Sequence, residues 1–158
     1  MAEAALTISR LSIHDRNGVA LVDDVSLSVP RGVVLTLIGE TGSGKSLIAQ
    51  AVFGLLPDGL SVTGGIQVAG HGPVPAGERK RLAALWRDRT MLIPQEPSLA
   101  LDPTMRVERQ MLLAGIDAQA IGPALATFDL PDATREAYPF TLSGGMAQRV
   151  LVASALGV

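Results

Sequence analysis

Apolar and polar positions change period several times along the chain, and each change marks an element. Leu6, Ile8, Leu11 and Ile13 alternate imperfectly with polar residues, as a half-buried strand does, and Arg16-Asn-Gly18 reads as the turn after it. Val25, Leu27 and Val29 alternate cleanly, so the two segments predict an antiparallel hairpin lying beside the next apolar segment. That segment, Val33 to Ile38, is an unbroken apolar run of the kind buried on both faces of a parallel sheet. Leu47, Ile48, Ala51, Val52 and Leu55 then recur at helical spacing until Pro57 and Gly59 stop them. Val62 to Ala69, with Gly64-Gly65, Ile66 and Val68, predicts a further short strand or hairpin, and Pro73 and Pro75 mark a loop.

The second half is mostly helical in pattern. Glu78 to Arg89 carries Leu82, Leu85 and Trp86 on one side and charge elsewhere, which predicts a surface helix whose basic residues are solvated. Thr90 to Ile93 is a second apolar run of strand length, ended by Pro94. Thr104–Ala114 and Ala118–Phe128 have helical periodicity, punctuated by Gly115 and Pro131. After Ser143, a plausible N-cap, Met146, Val150, Ala153 and Leu156 share one helical face. No internal repeat, low-complexity tract or long linker interrupts this order, so the expectation is one domain over 1–158 with a helical lobe at roughly 98–142.

Between the apolar run at Val33 and the helix at Leu47 stand Gly39, Glu40, Thr41, Gly42, Ser43, Gly44, Lys45 and Ser46. Gly39, Gly44, Lys45 and Ser46 fill the pattern of a phosphate-binding loop, in which backbone N–H groups cradle phosphates and the lysine reaches the terminal ones. The alternative is a glycine-rich turn joining a strand to a helix. With only two lysines in the chain, Lys45 and Lys80, and with strand, loop and helix in the required order, the phosphate site is the better reading. The helix start aims unpaired N–H groups and a positive dipole end at the anion, and Ser46 would hold a magnesium ion.

Composition adds exclusions. A net charge of -2 gives no global attraction to nucleic acid or to an anionic membrane surface, and no nucleic-acid partner is expected. Without cysteine there is no disulfide framework or thiolate metal site, which is compatible with a reducing cytosol. The N-terminal residues show no signal-peptide pattern, and no apolar run is long enough to span a bilayer.

Three separated motifs now coincide: the loop Gly39–Ser46, Ile93-Pro-Gln-Glu-Pro97 after an apolar run, and Leu142-Ser-Gly-Gly-Met-Ala-Gln-Arg149 opening a helix. Together they resemble the ATP-binding subunit of ABC transporters, over nearly the whole chain. The resemblance implies an α/β, P-loop NTPase core of the ABC ATPase type, with an antiparallel β subdomain and a helical lobe. It implies ATP and Mg2+ as cofactors, with residues 39–47 on the phosphates and Ser46 and Gln95 near the metal. Gln95 would also reach the attacking water and sense a transmembrane partner. Ser143, Gly144 and Gly145 would face the phosphate loop of a second ATP-binding subunit, homologous or identical, in a head-to-tail dimer. A helix N-terminus bare of side chains is independently a reasonable anion site. The wording around Gln95 and Tyr138–Met146 looks most like the dipeptide, oligopeptide and nickel import branch. That implies transmembrane permease subunits as direct partners, a solute-binding protein as an indirect one, and a place on the cytoplasmic face of the plasma membrane.

The chain also departs from that family's pattern. No Asp or Glu occurs after Glu136, and His14 and His71 both precede the Leu142–Arg149 motif, so the family's late carboxylates and histidine have no counterpart here. Hydrolysis needs a placed water as well as held phosphates. The expectation is therefore a chain cut before its Walker B strand, able to bind ATP and unable by itself to turn it over. Leu11 to Val25 contains no Phe, Tyr or Trp to stack on adenine; His14 is its only ring. Two other readings stand beside the transporter: an ABC ATPase without transport, in phosphonate metabolism or DNA maintenance, and a P-loop kinase with a single phosphate site.

Overall fold

The computed structural model describes residues 4–86 and 92–157. They form two compact units, Met1–Thr90 and Met91–Val158, each with its own apolar core.

The first unit is built on a four-stranded antiparallel sheet. Its strands are β1 (Ala4–His14), β2 (Ala20–Pro30), β3 (Ser61–Val68) and the two-residue β4 (Val74–Pro75), in the order β2-β1-β3-β4. Asp15 makes the β1–β2 turn, its carboxylate accepting from the N–H groups of Asn17 and Val19 at 2.8 Å each. The imperfect alternation of β1 has a structural cause. Register shifts between Ile8 and Leu11, where Arg10 takes a positive φ of 51°, so both apolar residues point inward although they are three apart. β2 shifts at the next step, between Val25 and Val22, with Asp24 at φ 45°, and Arg10 reaches the Asp24 carboxylate at 3.3 Å across the exposed face. Gly64 of β3 passes close beside this irregularity. A Cβ there would lie 2.6 Å from the Arg10 carbonyl oxygen, and φ is +107°, so glycine is required.

Helices α1 (Lys45–Val52) and α2 (Arg79–Trp86) belong to the same unit. Ile48, Ala51 and Val52 of α1 and Leu82 of α2 join Ile8, Leu11, Ile13, Val22 and Ile66 of the sheet in one core. The basic face expected on α2 is only partly solvated. Arg79 donates to the Asp58 carboxylate at 2.9 Å and to the carbonyls of Leu56 and Pro57, fastening α2 to the segment after α1.

The buried parallel strand expected over Val33–Ile38 is not formed. These residues run without regular structure, and Val34 and Ile38 are 90% and 91% exposed. Among the described residues no strand lies alongside to take their N–H and C=O groups, and a parallel strand has no hydrogen bonds of its own. Of the second expected strand, Thr90 and Met91 lie outside the described residues, while Leu92 and Ile93 belong to no strand.

The second unit is helical, as its periodicity implies. A 3-10 turn at Pro97–Leu99 leads to α3 (Val107–Leu113) and α4 (Ala118–Thr127). Two further 3-10 turns, Asp132–Glu136 and Pro139–Thr141, precede α5 (Gly144–Leu156). Its core gathers Val107, Met111, Ile116, Ile121 and Leu125 with Ala147, Val150, Leu151 and Ala153 of α5. The face of α5 differs at its ends from the sequence expectation. Val150 and Ala153 are buried, but Leu156 is 72% exposed, and Ala147 and Leu151 complete the buried stripe.

Candidate functional site

The phosphate-loop residues form a closed turn that runs into a helix. Ser43 donates its backbone N–H to the Glu40 carbonyl at 3.2 Å, with Gly42 at φ 86° and Gly44 at φ 85°. Lys45, the first residue of α1, folds its side chain back into the turn. Its Nζ donates to the carbonyls of Gly39 at 2.8 Å and Glu40 at 2.6 Å and to Ser43 Oγ at 3.0 Å. The ammonium therefore sits at the centre of the ring made by residues 39–43.

Two glycines sit at close approaches, and at Gly44 the geometry requires one. A Cβ on Gly39 would fall 2.7 Å from Ser43 Oγ, filling the cradle. One on Gly44 would meet Val22 Cγ2 at 2.8 Å and the Leu21 carbonyl oxygen at 2.9 Å, because the start of α1 presses on β2. Gly44 is the N-cap residue of α1 and supplies no side-chain acceptor, and no acidic residue occupies the first turn. The first N–H groups of α1 are thus uncapped by side chains at a positive dipole end, beside a primary ammonium. That donor set suits a polyphosphate. Ser46 lies exposed in the first turn of α1, with Leu47 half-buried behind it, and its hydroxyl is of the type that ligates magnesium. Among the described residues no cluster of three or more His, Cys, Asp or Glu could hold a metal by itself, so a magnesium ion here would draw on hydroxyl, amide and phosphate oxygens.

The other predicted residues lie in the second unit. Gln95 is exposed on irregular chain just before the 3-10 turn at Pro97. Ser143 caps α5 as expected, its Oγ accepting from the Met146 N–H at 3.3 Å. Gly144 and Gly145 are exposed, and a Cβ on either would meet nothing within 4 Å. Their own unit does not require glycine there, so the bare backbone faces outward. The structure brings the Gln95 segment and the start of α5 to one cleft of about 390 Å³, walled by Pro97, Leu101 and Pro103 on one side and Phe140, Leu142 and Gly144 on the other. Ahead of α5, Tyr138 and Phe140 stack with ring centroids 5.5 Å apart, and the Arg106 guanidinium lies 5.8 Å from the Tyr138 centroid. Contact with Tyr138 and the nearby Glu136 carboxylate raise the Arg106 pKa further above its ordinary value. His14, at the end of β1, is half-buried between Ala20 of β2 and Ser61 of β3.

Sequence reasoning missed Gln110. Its side-chain amide binds three backbone groups, at Asp102 and Met105, which shape the cleft wall. No local signal betrays it, because its partners lie eight and five positions upstream and come near only when α3 packs.

Comparison with known proteins identifies relatives over nearly the whole chain. The family model described as ABC transporter matches residues 22–157. The metal-staphylopine import system ATP-binding protein CntD of Staphylococcus aureus is 35% identical, over 97% of this chain and 60% of its own length. The probable D,D-dipeptide transport ATP-binding protein DdpD of Escherichia coli is 36% identical, over 98% of this chain and 52% of its own. A solved structure of an ATP-binding subunit of an ABC transporter superposes with a TM-score of 0.73 at 26% identity, covering 96% of this chain and 61% of that one. The chain thus spans a little over half the length of the curated relatives it matches.

Proposed function

Because the chain belongs to the ABC transporter family, we propose that it is the nucleotide-binding part of an import-type ABC transporter, which holds MgATP at Gly39–Leu47 and transmits its binding to membrane permease subunits. The observation that carries this reading is the ring of Lys45 contacts at the uncapped start of α1, where Gly44 has no room for a Cβ. The residues that would contact phosphate are Gly39, Glu40, Thr41, Gly42, Ser43, Gly44, Lys45, Ser46 and Leu47, largely through backbone N–H groups. Magnesium, when bound, would neutralise phosphate charge, with the Ser46 hydroxyl among its ligands.

The second half of the proposal is a shared site. Ser143, Gly144 and Gly145 offer a helix start with no side chain in the way, and a second ATP-binding subunit would present its nucleotide there. The relatives' names carry metal-staphylopine import, D,D-dipeptide transport and nickel import, so a peptide, nickel or a related small solute is the proposed cargo, delivered through a solute-binding protein. Among the described residues no helix is long and apolar enough to cross a membrane. The proposed place is the cytoplasmic face of the membrane, against the permeases.

The test is nucleotide affinity of Lys45→Ala by equilibrium titration with ATP. We expect a loss of about a hundredfold or more, since a charge-assisted contact worth roughly 3 kcal/mol disappears from the phosphates. Unchanged affinity would sink the assignment of the loop.

A further inference from the structure

The segment after Gln95 is irregular, yet it forms one wall of the cleft beside the start of α5, and its shape depends on a residue outside it. Between Pro97 and Arg106 the backbone makes only local turns: Ala100 and Leu101 donate to the Pro97 carbonyl at 3.0 and 2.9 Å, and Met105 donates to Asp102 at 3.2 Å. The Asp102 carboxylate closes its own turn, accepting from the Thr104 N–H at 2.8 Å and the Thr104 hydroxyl at 2.6 Å. Nothing in that set ties the segment to a helix. Gln110, on α3, does. Its Oε1 accepts from the Asp102 N–H at 2.8 Å, and its Nε2 donates to the carbonyls of Asp102 at 3.0 Å and Met105 at 2.8 Å. One half-buried amide thus satisfies the Asp102 N–H and the Met105 carbonyl, which the local turns leave open, and adds a second donor to the Asp102 carbonyl, at both ends of the stretch holding Pro103. An apolar side chain of equal size would leave the Asp102 N–H and the Met105 carbonyl unpaired.

We propose that Gln110 is a positioning residue: it fixes the Pro97–Leu101–Pro103 wall of the cleft and, through it, the segment carrying Gln95, so that the wall is preformed for a membrane subunit. The proposal rests on the transporter reading. It assigns Gln110 no contact with nucleotide. Gln110 sets the shape of the surface through which the partner and Gln95 communicate, and the cost of ordering that surface is met before docking rather than during it.

The experiment uses the intact protein, Gln110→Met as the shape-conserving variant and Gln110→Glu as a second. Three readouts are taken: amide hydrogen exchange, ATP affinity, and the yield of permease subunits copurifying with it, identified by mass spectrometry. In Gln110→Met we expect exchange over 97–105 to rise about tenfold and permease yield to fall about tenfold, with ATP affinity within about twofold of wild type and α4 and α5 amides unchanged. Gln110→Glu keeps an acceptor for the Asp102 N–H but sets a carboxylate oxygen against the Asp102 and Met105 carbonyls, so its expected permease yield falls at least as far as that of Gln110→Met. Should Gln110→Met not fold, Gln110→Glu is judged by the same readouts. Permease yield that stays at wild-type level while 97–105 loosens overturns the positioning role. So does exchange rising throughout α3–α5, which would make Gln110 an ordinary support of the core. Wild-type protein that retains no permease overturns the transporter reading itself, and Lys45→Ala that still binds ATP overturns the phosphate site alone.

Discussion

Gly44 and Gly145 are both glycines at helix starts, and their substitution by alanine separates two reasons for having one. At Gly44 a Cβ meets Val22 and the Leu21 carbonyl oxygen below 3 Å, at a φ of +85°. Gly44→Ala is expected to destabilise the first unit by about 1–3 kcal/mol and to weaken ATP binding with it, as checked by denaturant unfolding and nucleotide titration. At Gly145 a Cβ meets nothing within 4 Å. Gly145→Ala should leave stability unchanged or raise it by up to about 1 kcal/mol, since alanine is the better helix former, while ATP-dependent self-association measured by sedimentation falls. Loss of stability there would mean that the glycine serves its own fold rather than a partner. Ser143→Ala removes the bond to the Met146 N–H and should cost about 1 kcal/mol by the same denaturant measurement. These positions were legible in the sequence because loop and cap chemistry are local: the residue types and their spacing specify the backbone within a few positions.

The segment from Asp102 to Arg106 shows what a short element adds. Bonds from the Thr104 hydroxyl and backbone N–H hold the Asp102 carboxyl below its ordinary value. A carboxyl depressed in the folded state stabilises that state above its unfolded pKa, and the contribution is lost as pH falls through the lowered folded value. The turn before α3 should therefore loosen in acid, below the usual aspartate range, and Thr104→Val should move the Asp102 titration back up. An NMR pH titration of the carboxyl carbon checks both. Strand β1 makes the complementary point. Its apolar residues were readable, but the shift that puts Ile8 and Leu11 on one face depends on pairing with β2 and β3, which no window of sequence contains.

At the scale of the molecule, the two cores share no residue. Truncating Leu11, which is fully buried in the first, should cost about 2–5 kcal/mol there, and Leu125→Ala should cost a similar amount in the second. Hydrogen exchange should place each loss in its own unit, with amides of α4 and α5 keeping their protection in Leu11→Ala. Equal loss of protection in both units would show that they unfold as one.

The sequence by itself determined the local devices: the hairpin, the glycine-rich turn into α1, the Ser143 cap and the helical run of the second unit. Each arises from side-chain period or from backbone conformations open to few residue types. Tertiary structure decided what depends on distant neighbours. It pressed Gly44 at the start of α1 against Leu21 and Val22 of β2, and it brought the segment after Gln95 and the start of α5 around one cleft. It also left Val33–Ile38 out of any sheet, although its composition asks for one, because a strand is made by the partner that takes its hydrogen bonds.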